Sequence, residues 1–229
     1  MASLRTAEWA DNPEYEGIGL FSRRVWGIME GAMQPFAPPL TKADLRRSIR
    51  EQLRGVEAGE LAAWSARLVA WLKSAEGCWA GGGTVALFGG LRNEPDLLTG
   101  FTPWLRERGW RTVLFAVVGV ELVPHEVRTV AEMKRGPLGV WEPVQTAAVP
   151  LHELTLILVP GLAFAASDGA RLGRGGGYYD RLLARPEVRA RRIGVAFEVQ
   201  VLTTVPREEH DACVPELVTE RGWRRICLT

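Results

Sequence analysis

Cysteine and histidine are scarce in this 229-residue chain, with three of each. Cys78, Cys213 and Cys227 are far apart and odd in number, with neither zinc-ligand spacing nor a disulfide framework. They read as small buried hydrophobes in a reducing, cytoplasmic setting. His125, His152 and His210 share no short spacing, so spacing supports neither a zinc site nor a Ser-His-Asp arrangement. Long apolar runs are also missing. The best, Val113 to Val120, ends at Glu121, far short of the ~20 residues of a membrane span. The N-terminus has no basic stretch followed by an apolar one, which argues against a secretory signal. Net charge is only +1, so wholesale binding to nucleic acid or to an anionic membrane is not expected. There is no G-x-x-x-x-G-K-[ST] phosphate loop. The dinucleotide fingerprint fails at Tyr178, where Gly or Ala belongs. No internal repeat or low-complexity tract occurs.

The composition, 47% apolar and 24% charged, suits one α/β domain with a full core. Residues 1–40 stand apart as an N-terminal arm. They carry Trp9, Tyr15, Phe21, Trp26, Met29, Met33 and Phe36 and end in Pro35-Phe-Ala-Pro38-Pro39, a helix-breaking boundary. So apolar a segment is expected to pack on the domain or on a second subunit. Residues 41–229 read as a single α/β catalytic domain. Thr41-Lys-Ala-Asp44 forms a capping box with Asp in place of Glu. Leu45, Ile49 and Leu53 then make a core stripe. Lys42, Arg46 and Arg50 make a basic stripe beside it, with Arg50 expected at the surface. A second helix covers about 58–76. Further on, strands are expected at 84–88, 111–118, 127–133, 154–159 and 192–197, with short ones near 214–219 and 223–228. A helix is expected over 95–108. Strands alternating with helices predict an open, mostly parallel sheet flanked by helices, with ligands at the carboxyl ends of its strands.

Residues 171–181, Arg-Leu-Gly-Arg-Gly-Gly-Gly-Tyr-Tyr-Asp-Arg, hold four glycines and three arginines. They follow an apolar strand and lead into a helix. Glycines let backbone N–H groups approach an anion closely, and Arg171, Arg174 and Arg181 can add charge-assisted hydrogen bonds. The stretch reads as a nucleotide polyphosphate site.

The chain resembles the 5-formyltetrahydrofolate cyclo-ligase family, also called 5,10-methenyltetrahydrofolate synthetase. The strongest match is Leu158-Val-Pro160-Gly-Leu-Ala-Phe164 running into Arg171 to Asp180, against a pattern of strand, P-G-x-A-F, spacer and R-L-G-x-G-x-G-Y-Y-D. Lys42-x-x-Leu45-Arg46, Asn93-Glu94-Pro-Asp96 and Gly139-Val-Trp-Glu142-Pro143 follow in the family's order. After the loop come Gly194-Val-Ala-Phe197, Gln200, Pro206, His210-Asp211 and Val218-Thr219-Glu220. The likeness spans about 41–223. The chain departs from the pattern at Ala165 (usually Asp), Leu97 (usually Thr) and the strand Leu114-Phe115-Ala116, which lacks the usual L-P.

The resemblance implies a fold like that of the sugar-phosphate isomerase and CoA-transferase type. It implies ATP-dependent closure of 5-formyltetrahydrofolate to 5,10-methenyltetrahydrofolate, through a phosphorylated formyl oxygen, with ADP and phosphate released. Lys42, Arg171 and Arg174 would be catalytic. Lys42, Arg46, Arg171, Gly173, Arg174, Gly175, Gly176, Gly177, Tyr178, Tyr179 and Asp180 would form the ATP side. Glu94, Trp141, Tyr178 and Tyr179 would contact the folate. Magnesium is expected with ATP, Asp180 and Asp211 being its carboxylate candidates unless they serve as a helix cap and a turn residue. Two other readings stay open: an ATP-dependent ligase or kinase for another small acceptor, and a non-enzymatic nucleotide-binding module.

Overall fold

A computed structural model describes residues 41–144, 147–208 and 211–226. The arm, His210 and Cys227 lie outside these residues. In chain order the elements are α1 (Lys42–Arg54), α2 (Ala58–Ser74), α3 (Glu76–Trp79), β1 (Gly83–Ala86), α4 (Phe101–Glu107), β2 (Trp110–Val118), β3 (Glu121–Glu126), β4 (Met133–Arg135) and β5 (Trp141–Pro143). They continue with β6 (Leu156–Pro160), β7 (Ala163–Ala165), β8 (Arg171–Leu172), α5 (Tyr178–Leu183), β9 (Arg191–Val195), β10 (Val201–Leu202), β11 (Glu216–Thr219) and β12 (Gly222–Arg225).

The main sheet has seven strands in the order β12-β11-β9-β6-β1-β2-β3. The inner pairs are parallel and only the two edge pairs are antiparallel. Its central strands are apolar on both faces, as sheets covered on both sides require. Leu156 and Leu158 face one core with Leu68 and Leu72 of α2 and Phe101 and Leu105 of α4. Ile157 and Val159 face the other with Leu182 and Leu183 of α5. A third core holds α1 against the small sheet β10-β7-β8. There Ile49 and Leu53 meet Ala163, Ala165 and Leu172.

The cap and the apolar stripe expected of α1 are present. Thr41 and Asp44 cap each other's backbone, and Ile49 and Leu53 are buried on the expected stripe. Two expectations need correction. The helix expected over 95–108 is only Phe101–Glu107. Asp96 Oδ1 accepts from the amides of Leu98 and Thr99, turning the chain before the helix begins. Pro103 then falls in the first turn, where no N–H is needed. The strand expected at 127–133 is absent. The strand lies earlier, in β3, which contains Pro124. An edge strand tolerates proline because one side needs no ladder partner.

The sequence analysis also placed the glycine loop directly after a core strand. In the fold the β7–β8 ribbon comes between them. The loop runs from β8 to α5.

Candidate active site

The chain passes from β1 to β2 on one side and later returns to β6 on the other. The carboxyl ends of β1 and β6 therefore bound the crevice where open α/β sheets take ligands. A cavity of about 440 Å³ lies there. Leu87, Phe88 and Gly89 line it after β1, and Pro160 and Gly161 at the end of β6. Leu114, Phe115, Val117 and Leu122 of the β2–β3 hairpin make an apolar wall, continued by Leu138, Val140 and Trp141 of the β4–β5 turn. The polar side consists of Glu94, Arg171, Gly173, Arg174, Gly176, Gly177, Tyr178, Tyr179 and Asp180. A mostly apolar cleft with a few convergent charged groups suits a small aromatic ligand bearing polar edges.

The glycine loop is shaped by its neighbours. Gly177 caps α5 with φ +66°, and a Cβ there would stand 2.7 Å from Arg181 Nη1. A Cβ on Gly176 would stand 2.8 Å from the Tyr178 ring. Both positions need glycine for backbone conformation or close approach. The basic stripe of α1 holds the loop from behind. Arg46 Nε donates to the Gly173 carbonyl at 2.9 Å and Arg50 Nη2 to the Arg174 carbonyl at 3.3 Å. Arg50 therefore contacts the loop and is not a bystander on the surface.

Arg171 is buried, with 3% of its side chain exposed. Its Nη1 donates to the Pro160 carbonyl at 3.2 Å and its Nη2 to Asp180 Oδ1 at 2.6 Å. Among the described residues its Nε is buried without a partner. Asp180 Oδ1 also accepts from the Ala212 amide at 3.3 Å. Next door, Asp211 Oδ2 lies 2.6 Å from Lys42 Nζ, and Glu208 Oε1 lies 2.8 Å from it. Burial opposes the charge on Lys42, but these two carboxylates outweigh it and hold the ammonium above the usual lysine value. Lys42, Arg46, Gly175 and Asp211 do not line the cavity. Arg46 holds the loop through the Gly173 carbonyl, Gly175 belongs to the loop, and Lys42 pairs with Asp211.

Glu94 and Arg174, expected on opposite substrates, meet each other. Arg174 Nε and Nη2 donate to Glu94 Oε1 at 3.2 and 2.9 Å. Burial pushes the Glu94 carboxyl above the usual carboxylate range, and Arg174 only partly offsets it. Burial also drives the Tyr179 phenol far above its ordinary value, with the Glu94 charge adding to the effect and Arg171 opposing it. The Tyr179 ring packs edge-on against Phe115 at 5.9 Å. Trp141 donates its amide to the Gly89 carbonyl at 3.0 Å, and its ring carries the Arg135 guanidinium at 4.2 Å.

Three groups of residues escaped the sequence reading. The apolar wall looks like ordinary core in a hydrophobic pattern. Arg181 was read only as a possible anion binder, but it bonds to backbone carbonyls. Gln200 is buried and donates to the carbonyls of Gly161 and Leu162, fixing the turn after β6. Its place in the family pattern three residues after Phe197 marked it, without saying what it holds.

Fold and site together define an α/β protein with its ligand cleft at a topological switch point, flanked by a glycine-arginine loop. The sequence model of the 5-formyltetrahydrofolate cyclo-ligase family matches residues 99–220. The 5-formyltetrahydrofolate cyclo-ligase of Mycolicibacterium smegmatis is 29% identical over 194 residues, covering 80% of this chain and 95% of that one. The NMR structure of Aquifex aeolicus 5,10-methenyltetrahydrofolate synthetase superposes with a TM-score of 0.70 at 33% identity, covering 83% of this chain and 95% of that one. The Mycoplasma pneumoniae 5,10-methenyltetrahydrofolate synthetase shares the fold at 20% identity, with a TM-score of 0.66 over 79% of this chain and 99% of that one. The chain belongs to the 5-formyltetrahydrofolate cyclo-ligase family.

Proposed function

We propose that this protein closes 5-formyltetrahydrofolate to 5,10-methenyltetrahydrofolate with ATP, releasing ADP and phosphate. The observation that carries this reading is one cavity in which the glycine-arginine loop faces Glu94, Trp141 and an apolar wall. The reaction needs such a two-sided cleft. An amide oxygen is a poor leaving group, so the formyl oxygen is first phosphorylated. Folate N10 then attacks the formyl carbon, and the oxygen leaves with phosphate. The protein must align oxygen and γ-phosphate and stabilise the charge in transfer.

Arg174 is the loop cation open to the cleft, with 34% of its side chain exposed. It would face the phosphates, together with the backbone of Gly173, Gly175, Gly176 and Gly177. Lys42 and Arg46 would act from the helix behind the loop, Lys42 by turning from Asp211 and Glu208 toward the nucleotide. Arg171 spends its two terminal nitrogens on the Pro160 carbonyl and Asp180, so its main part is to fix Asp180 and the turn after β6. Glu94 gives one oxygen to Arg174, and its other oxygen can accept N–H from the pterin edge. Trp141 and Tyr178 would bound the ring, with Tyr179 behind them.

Among the described residues, no group of three His, Cys, Asp or Glu side chains could hold a metal. A magnesium ion that arrives with a nucleotide needs only one or two carboxylates. Asp180 lines the cleft and fits that role. Asp211, tied to Lys42, fits it only if that pair opens. Bound there, the ion would neutralise phosphate charge. Leu97 and Ala165, departures that left another acceptor open, are fully buried and line none of the cavity.

Residues 41–229 would be the catalytic domain. Among the described residues no helix is long and apolar enough to cross a membrane, and the free thiols Cys78 and Cys213 suit a cytoplasmic setting. The test is the absorbance of the methenyl product with 5-formyltetrahydrofolate, ATP and magnesium, against a control without ATP. ATP-dependent growth of that band is expected. Folded protein that gives no such growth would overturn the reading.

A further inference from the structure

We infer that Arg181 is a positioning residue that locks the apolar wall of the cavity to the glycine loop. Its Nε and Nη2 both donate to the Val120 carbonyl, at 3.0 and 2.8 Å, and Nη2 also donates to the Gly176 carbonyl at 2.9 Å. Val120 is in the turn of the β2–β3 hairpin, and Gly176 is in the loop. Both the hairpin, through Val117 and Leu122, and the loop, through Gly176 and Gly177, line the cleft. The guanidinium also sits over the Tyr178 ring, 5.1 Å from its centre, so a third wall residue rests on the same side chain.

The tip of the hairpin, residues 118–120, faces solvent. Val118 and Val120 are 58% and 62% exposed, and β3 is the edge strand of the main sheet, touched on its outer side at His125 and Pro124, away from the turn. Apolar side chains left in water do not anchor a turn, so its placement rests on polar contacts. From the α5 side Leu122 shares a core with Leu182 and Leu183, and an exposed ion pair joins Arg185 to Glu121 at 3.2 Å. Exposed pairs of this kind contribute little. A planar guanidinium can bridge two carbonyls with a fixed fork, whereas an ammonium is a point donor. The absence of a Cβ on Gly177 leaves the room Arg181 Nη1 occupies. The loop and the hairpin therefore move as one piece. A ligand that orders the loop also sets the wall against which the second substrate packs.

The kinetic half of the test rests on the proposed cyclisation, and the hydrogen-exchange half does not. Arg181→Ala is expected to speed amide exchange at 118–122 while leaving the amides of α2 unchanged. Small misplacement of reacting groups is costly, so kcat/KM for the folate should fall about 10- to 100-fold with little change in Tm. Arg181→Lys should recover part of that loss, and Arg185→Ala should behave as the wild type in both readouts. Unchanged exchange at 118–122 in Arg181→Ala would overturn the inference. So would wild-type kinetics, or a loss that merely follows a fall in Tm and is not relieved by lysine. If the wild-type protein makes no methenyl product, the proposed cyclisation fails, and the exchange comparison alone decides whether the lock exists.

Discussion

Glu94 and Arg174 show how one residue pair sets the chemistry of the cleft. Burial raises the Glu94 carboxyl, and Arg174 holds part of that rise back. In the proposed reaction the ionised form would accept the pterin N–H bonds. Arg174→Leu should therefore move the acid limb of the kcat/KM profile to higher pH, besides lowering turnover. A limb that stays in place would remove Glu94 from substrate binding. The same shift has a stability sign. The folded carboxyl holds its proton to higher pH than the unfolded one, so the native state loses stability as pH rises from the unfolded value through the folded one. Urea unfolding of wild type and Glu94→Gln should show the wild type's relative stability falling across that window. For Lys42, the alanine variant should stay folded and lose about 100-fold or more in turnover, as expected when a fixed cation is removed from a charge-transfer site. Near-normal rates would make Lys42 a brace for Asp211 and no more. Arg171→Ala is a different experiment. It removes the buried partner of the half-buried Asp180 and of the Pro160 carbonyl, so lost activity there reports on folding as well as chemistry.

The element that does most for the loop is α1. Its capping box, its apolar stripe and its basic stripe serve three neighbours at once. Thr41 and Asp44 start the helix, Ile49 and Leu53 seat it on the small sheet, and Arg46 and Arg50 reach the loop carbonyls. Thr41→Ala should lower stability by about 1 kcal/mol in chemical denaturation, the usual loss for an N-cap. No change would mean that packing alone holds the helix start. The cap and the stripes were legible because each lies within a few residues of chain. The destination of Arg50 was not, since its partner is 124 positions away. The misplaced helix start has the same origin. Leu97, Leu98 and Phe101 fit a helical stripe, yet the Asp96 side chain captures two amides locally, and Pro103 can be accommodated only in a first turn. β3 escaped notice because Pro124 speaks against a central strand. Only the sheet order makes it an edge.

On the scale of the molecule, the two-faced central strands carry the fold. Leu158 is fully buried on β6, between β1 and β9 and near the cleft. Leu158→Ala should cost about 2–5 kcal/mol, measured by urea unfolding. A value well below that range would mean the core collapses around the gap. Apolar runs with turn residues between them determine parallel strands and helices from sequence alone, because strand burial and turn chemistry are local. Glycines and arginines clustered before a helix likewise mark a candidate anion-binding loop, because the motif is contiguous. What tertiary structure decided is which groups meet. It set Arg174 on Glu94, sank Arg171 onto Asp180, paired Lys42 with Asp211 and bridged the loop to the hairpin through Arg181. Those pairings depend on strand order and on burial. The spacing of residues along a chain specifies neither, because both arise only when distant segments share one low-dielectric interior.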